Sequence, residues 1–317
     1  MGKETASLNN RFAAALERLV PALQSTDQKL GLAVSGGPDS LALLLLASQV
    51  CPGRIAAATV DHGLRPASRT EAEFVASICH ERNIPHTILK PVIPIRGSIQ
   101  SAARRARYGL LHDWMKEEDI HWLATAHHAD DQLETMIMRI LRGSGIDGMS
   151  GIREKRGDII RPLLHFQKSE LETYVAHQGI DAVNDPSNHD QSFDRVRVRN
   201  TLKDLTGFDT SLSSQSASAL NAAREAIEWV VEQLAVEHIE RTDVGCTLSK
   251  TEFPSEIQRR LLLKSLHICD PALSPRGSQI SQTILALKKG ETVTLGNILC
   301  RGGETWTFQT APKRQNS

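Results

Sequence analysis

Leu30-Gly31-Leu32-Ala33-Val34-Ser35-Gly36-Gly37-Pro38-Asp39-Ser40 joins an apolar strand to a short polar turn, and Leu41-Ala42-Leu43-Leu44-Leu45-Leu46 continues it as a helix. The paired glycines let the backbone turn tightly and bring its N–H groups close to a ligand. Pro38 suits a first helical position, where its missing N–H costs nothing. Ser35 and Ser40 add hydroxyl donors. The helix N-terminus adds a partial positive charge, so strand, loop and helix together form an anion cradle. The lysine-bearing Walker A loop is absent, so this is another kind of phosphate loop.

Working outward, short apolar segments alternate with helical ones. Strands are expected at 30–34, 55–60, 86–92 and 121–125, with 158–164 as a fifth. Helices are expected at 40–50, 69–82, 99–118 and 130–141. This alternation predicts an α/β fold, a parallel sheet flanked by helices on both faces. Sites in such sheets lie beyond the carboxyl ends of the strands. Leu8, Phe12, Leu16, Leu19, Val20 and Leu23 fall at helical spacing and predict an opening amphipathic helix over 8–23. The character changes after about residue 205. A long helix runs from 211 to about 240, another covers 254–268, and 291–301 reads as a β-hairpin followed by a further extended stretch at 305–309. The domains are therefore expected at 1–205, the nucleotide-binding catalytic part, and 206–317, a smaller and mostly helical C-terminal region ending in a β-hairpin.

Composition narrows the function classes. The 317 residues are 40% apolar and 23% charged, ordinary for a globular protein. The apolar run at 41–47 is too short to span a bilayer, and the N-terminus lacks a signal-peptide core. A cytoplasmic protein without a membrane partner is the expectation, and a homodimer is compatible with it. Cys51, Cys79, Cys246, Cys269 and Cys300 are scattered and form no C-x-x-C pair, which removes support for a disulfide framework, a zinc ribbon or an iron–sulfur cluster. Lys plus Arg equals Asp plus Glu at 37 each, so net charge gives no argument for nucleic acid. Distribution does: basic groups stand at 96–107, at 153–161, and at Arg195, Arg197, Arg199 and Lys203. Three such groups favour a polyanionic partner, with Arg195, Arg197 and Arg199 as candidate contacts.

Later motifs sit where sites belong in this fold. Asp61-His62-Gly63-Leu64-Arg65 ends the second strand. Arg104 and Arg107 stand three apart, so they share a helix face and can grip phosphate. His127-His128-Ala129-Asp130-Asp131-Gln132-Leu133-Glu134 follows the fourth strand. Carboxylates grouped at that helix start can take Mg²⁺ or a cationic amine, and the histidines leave a transition-metal reading open. Asp39, beside the phosphate loop, is the candidate Mg²⁺ ligand.

The string at 35–40 resembles the S-G-G-x-D-S signature of PP-loop ATP pyrophosphatases. The order D-H-G-L-R (61–65), A-R-x-x-R-Y (103–108), H-H-x-D-D-x-x-E-T (127–135), R-G-S-G-I-x-G (142–148), R-P-L-L (161–164) and D-P-S-N (185–188) resembles the tRNA(Ile)-lysidine synthetase family, strongly over 28–205. The resemblance implies a ligase that uses ATP and Mg²⁺ to adenylate the C2 oxygen of the wobble cytidine in the CAU anticodon of tRNA(Ile). Free lysine then displaces AMP, and codon reading moves from AUG to AUA. It implies that Ser35, Gly36, Gly37, Pro38, Asp39 and Ser40 hold ATP, that Arg104 and Arg107 steady phosphate or the flipped nucleotide, and that Asp131 and Glu134 receive lysine or metal. Asp39, Asp131 and Arg104 are the expected catalytic residues. The alternative is a tRNA thiolation enzyme on the same loop, which would call for paired cysteines near the site. Two positions depart from the family pattern: Asn184 replaces an acid, and Arg195-Val196-Arg197-Val198-Arg199-Asn200 replaces a segment like R-N-x-I-R-H.

Overall fold

The computed structural model describes residues 2–25, 27–61, 63, 67–91, 99–183, 194–203 and 209–311. The chain forms two compact units, Met1–Asn221 and Ala222–Ser317. The division falls inside one long helix, whereas the change in composition comes near residue 205.

The first unit opens with α1 (Gly2–Leu19) and α2 (Ala22–Ser25). Then come β1 (Lys29–Ala33), α3 (Pro38–Val50), β2 (Ile55–Val60), α4 (Ala67–Glu81), β3 (His86–Leu89), α5 (Ile99–Glu117), β4 (Ile120–Ala124) and α6 (Ala129–Ile140). The unit continues through α7 (Ile146–Met149), β5 (Lys155–Arg156), β6 (Ile159–Ile160), α8 (Lys168–His177), α9 (Asp194–Lys203) and the first part of α10 (Ser211–His238). The sheet order is β3-β2-β1-β4-β6-β5, parallel except for the short edge strand β5. The fifth strand expected over 158–164 is thus an antiparallel pair, Lys155–Arg156 with Ile159–Ile160, turned at Gly157.

Chain order explains where a site can form. From β1 the chain moves outward to β2 and β3, then returns to place β4 on the other side of β1. The direction of winding reverses between β1 and β4, and a crevice opens beyond their carboxyl ends. The phosphate loop follows β1 and the His127–Glu134 segment follows β4. Both are delivered to that crevice by topology.

Both sheet faces are covered. Phe12, Leu16 and Leu23 pack with Leu41, Leu43, Leu44 and Leu46 on one face. Leu111, Trp114 and Met115 of α5 cover Ala56, Ala58 and Leu123 on the other. The α3 residues from Ser40 to Ala47 are all buried, which suits a helix apolar all round. Each large apolar side chain so buried contributes about 1.5–3 kcal/mol.

A polar staple fixes α1. Arg18 Nη1 lies 2.5 Å from Glu154 Oε2 and Nη2 lies 2.7 Å from Oε1, while His165 Nε2 is 2.7 Å from Oε1. Burial alone would raise the Glu154 carboxyl, but His165 and Arg18 hold it at about 2. A depressed folded value stabilises above the unfolded one, near 4.5, and the contribution is lost as pH falls towards 2. Glu154→Gln is expected to cost no more than about 3 kcal/mol at pH 7, because half-exposed Arg18 is screened by solvent. The gap from wild type should close between pH 4.5 and 2. Urea midpoints across that range test it; a gap independent of pH would contradict the assignment.

The second unit holds the rest of α10, β7 (Ile239–Thr242), β8 (Gly245–Leu248), α11 (Ser255–Cys269), α12 (Gly277–Lys288), β9 (Thr292–Leu295), β10 (Ile298–Arg301) and β11 (Trp306–Thr310). The expected hairpin is present as β9–β10, and Thr305–Gln309 appears as β11, but it belongs to a five-stranded antiparallel sheet ordered β7-β8-β11-β10-β9. Trp306 and Phe308 are buried against Leu261, Leu262 and Leu266 of α11. Gly245 is demanded by this sheet: a Cβ there would meet the Phe308 carbonyl oxygen at 2.0 Å.

Candidate active site

The loop after β1 braces itself. Ser40 Oγ donates to the Gly37 carbonyl at 2.9 Å and accepts the Ser35 N–H at 3.1 Å, with Ser35 Oγ 3.2 Å away. The Ser40 hydroxyl, expected to face a ligand, thus serves the loop's own shape. Gly36 has φ +87°, a left-handed conformation that L side chains rarely adopt, and its carbonyl accepts the Val183 N–H at 3.0 Å. Gly37 caps α3 with no side-chain hydrogen bond, and Pro38 takes the first turn. First-turn N–H groups lack intrahelical acceptors, so this end of α3 suits an anion.

Asp39 stands in that first turn. Its Oδ2 is 3.5 Å from His128 Nε2. Its Oδ1 is buried and takes no hydrogen bond. A buried carboxylate oxygen without a partner is costly, so it marks a place for a cation or donor. No group of three His, Cys, Asp or Glu among the described residues could hold a metal ion by itself. That fits Mg²⁺, which binds through one or two carboxylates and completes its shell with phosphate and water. It does not fit the transition-metal reading of His127 and His128.

His128 organises the acids. It is 3% exposed and caps α6. Its ring lies 3.5 Å from both Asp39 Oδ2 and Asp131 Oδ2, and 3.7 Å from Asp130 Oδ2. Burial would lower its pKa, but the charge of Asp131 and hydrogen bonds to Asp130 and Asp39 outweigh it and push it up to about 10. A charged ring has no free acceptor on Nδ1, so the 3.4 Å approach of the Asp131 N–H is a contact, and the capping bond is His128 N–H to Asp131 Oδ2 at 3.2 Å. The same Asp130 Oδ2 also accepts the Lys168 N–H at 2.9 Å and the Thr210 hydroxyl at 3.2 Å. Sequence reading named Asp131 and Glu134 and offered His128 only as a transition-metal ligand, not as the organiser of the acids. Its signal was an N-cap position directly after a central strand.

Glu134 lies one turn further along α6, its side chain 4% exposed, and pairs with Arg199 of α9. Arg199 was expected on RNA, Glu134 on lysine; the fold brings the two together. Arg197 is exposed on α9, and the Arg195 side chain lies outside the described residues. Arg104 and Arg107 of α5 lie 5.3 and 5.5 Å from the Tyr108 ring. Burial pulls the Arg107 pKa down. The basic group at 153–161 is partly committed to the fold, with Arg153, Lys155 and Arg156 exposed. Lys155 Nζ lies 4.2 Å over the Trp122 ring, and Arg161, 7% exposed, donates to the Arg153 carbonyl at 2.6 Å.

Asp61 closes the neighbouring strand. It is buried and accepts Gly63 N–H at 2.9 Å and Ser68 Oγ at 2.6 Å. The Ser68 bond foremost holds its carboxyl below the usual range. His62, Leu64 and Arg65 of that motif, Arg96 of the first basic group, Asn184, and D-P-S-N at 185–188 lie outside the described residues. Cys51 and Cys79 sit in the apolar core, where burial raises both thiols, Cys79 to about 11. Neither offers a ready thiolate.

Residues 7–205 match the PP-loop domain family. A tRNA(Ile)-lysidine synthase from Zymomonas mobilis is 41% identical over 298 residues, covering 91% of this chain and 90% of that protein. One from Novosphingobium aromaticivorans is 36% identical over 329 residues, covering 99% and 97%. The U34-tRNA thiolase NcsA from Methanococcus maripaludis superposes with a TM-score of 0.57 at 17% identity, over 76% of this chain and 82% of that one, a likeness of fold alone.

Proposed function

The chain belongs to the tRNA(Ile)-lysidine synthase family of PP-loop proteins, and we infer from this premise and the site geometry that it is an ATP-dependent ligase joining free L-lysine to C2 of the wobble cytidine in the CAU anticodon of tRNA(Ile). The observation that carries the chemistry is the meeting of Asp39, His128 and Asp131 within 3.5 Å at the β1/β4 crevice. An anion cradle and a cation-seeking acid cluster face the same space.

The residues divide the work. The 35–40 loop and the α3 N-terminus bind the ATP phosphates. Asp39 would hold Mg²⁺, which would supply charge to neutralise the departing pyrophosphate. The cytidine is flipped from the anticodon loop, as single-stranded RNA readers do. Its C2 oxygen attacks the α-phosphorus, and the bond to the β-phosphate oxygen breaks. Arg104 and Arg107 steady the phosphate charge on the adenylated base. Asp131 and Glu134 orient the lysine side-chain ammonium; once Asp131 has taken its proton, the free amine attacks C2 and AMP leaves with the electrons of the C2–oxygen bond. Arg197 contacts the RNA backbone. The domains are proposed as a catalytic part over 1–205 and a tRNA-binding part over 206–317. No described helix is long and apolar enough to cross a membrane, and the reaction is placed in the cytoplasm, where its substrates occur.

The test is incubation of the protein with an unmodified tRNA(Ile) transcript, ATP, Mg²⁺ and labelled lysine, followed by nucleoside analysis. Label is expected in one modified cytidine per tRNA, with AMP and pyrophosphate released in equal amounts. AMP release indifferent to lysine would overturn the reading.

A further inference from the structure

Arg199 and Glu134 form a two-point ion pair, Nε to Oε1 at 2.6 Å and Nη2 to Oε2 at 3.2 Å. The Glu134 side chain is 4% exposed and that of Arg199 25%. One of the two carboxylates proposed to receive the lysine ammonium is therefore already filled by a cation of the protein. The site's other acids hold it there too. Arg199 keeps its proton chiefly through the Glu134 bond, against the pull of burial, with further help from the charges of Asp131 and Asp39.

A bidentate guanidinium on a buried carboxylate is not lightly vacated. Taking one partner away leaves an uncompensated buried charge, which is strongly unfavourable. Arg199 can leave Glu134 only if another cation takes its place and another anion takes the guanidinium. The two substrates supply both. Lysine brings an ammonium that fits Glu134; tRNA brings phosphates that match a guanidinium fork as well as a carboxylate does. The exchange conserves charge: one ion pair becomes two, with every charge matched.

Arg199 keeps part of its side chain open to solvent, where a phosphate can reach it. A mainly apolar groove of about 530 Å³, walled by Ile137, Met138, Leu141, Val198 and Leu202, runs between α6 and α9 and carries Arg142 and Arg197 in its lining. Along α6 it starts about one helical turn beyond Glu134, so a polyanion drawn to Arg142 and Arg197 lies within about two turns, on the order of 11 Å, of Arg199.

Resting on the lysine-ligation reading, we propose that Arg199 is a positioning residue that keeps Glu134 closed to amines until an RNA phosphate draws its guanidinium away. Lysine and tRNA then bind cooperatively, and free cations are kept off the carboxylate while no base is present to be modified. Linkage makes this reciprocal: tRNA raises lysine affinity by the factor by which lysine raises tRNA affinity.

Equilibrium dialysis of labelled L-lysine against the full chain, with and without tRNA(Ile) transcript and with a non-cleavable ATP analogue, tests it. In the wild type, tRNA is expected to raise lysine affinity about tenfold or more, within the usual range of such couplings. In Arg199→Gln the affinity without tRNA should rise to near the wild-type value with tRNA, and the tRNA effect should fall below about twofold. Arg199→Lys, which keeps a cation on Glu134, should restore part of the coupling. A simple loss of structure would lower lysine binding in both conditions and would not equalise them. Wild-type lysine binding that ignores tRNA overturns the inference whatever the variants do, and so does full coupling in Arg199→Gln. Lysine bound by neither protein, even with tRNA present, overturns the lysine-ligation reading itself.

Discussion

Asp39→Asn is expected to lower AMP formation at least about a hundredfold, the scale on which removal of one preorganised charge at a reacting centre is felt, while the protein stays folded. Asn keeps the volume and the helix-start position but loses the charge. Asp39 lies at the uncapped N-terminus of α3, with one oxygen facing His128 and the other buried and without a hydrogen bond. The fold has no use for that second oxygen, and Asp130 and Asp131 remain to balance His128, so losing the charge should cost little stability. The reaction does have a use for it, because leaving pyrophosphate gathers charge as its bond to the α-phosphorus breaks. The urea midpoint should therefore move by less than the equivalent of about 1 kcal/mol, as for a change that disturbs no packing. The Mg²⁺ concentration for half-maximal residual activity should rise. Wild-type pyrophosphate release by the variant would sink both the metal assignment and the role of this loop. A collapsed midpoint would show instead that Asp39 is structural.

How much of this could be read from the chain depends on the range of the interactions. The 35–40 loop, α1 and the β/α alternation were legible because their determinants are local: a glycine where φ must be positive, Pro38 at a first turn, apolar residues at helical spacing. The strands β7 and β8 were not. Ile239–Thr242 is polar and mostly exposed, and it leaves α10 without a breaking residue, so it reads as more helix. It is held as a strand by its ladder to β8, which pairs in turn with β11 about sixty residues later in the chain. The site divides in the same way. Residues of the loop and the α6 start were identifiable as types at strand ends. Arg199 with Glu134 pairs residues 65 positions apart, and nothing local distinguishes Arg199 from Arg197 two residues earlier. In the basic group at 153–161 charge density was visible, but not that Arg161 is buried and Lys155 lies on Trp122.

His128 is the position where burial and charge conflict most sharply, and its replacement should have the largest effect on stability. The ring is 3% exposed and lies within 3.7 Å of three carboxylates on two different segments. Arg199, the cation of the neighbouring helix α9, spends two donors on Glu134. His128→Ala removes the imidazolium and leaves Asp39, Asp130 and Asp131 converging on a hole. The expected cost is about 3–5 kcal/mol, the range for stranding buried charge by removing one partner. A neutral cavity of that size would cost less, so His128→Leu separates the contributions: it refills the volume yet should recover little of the loss. Bound cation should recover more. Saturating Mg²⁺ with ATP returns positive charge to the cluster and binds only the folded chain, so the gap from wild type should narrow in its presence. Urea midpoints of the three proteins, with and without Mg²⁺ and ATP, decide it. A wild-type midpoint for His128→Ala, or full rescue by His128→Leu, would mean that the acids do not need the ring, and that the crevice between β1 and β4 is held open by packing alone.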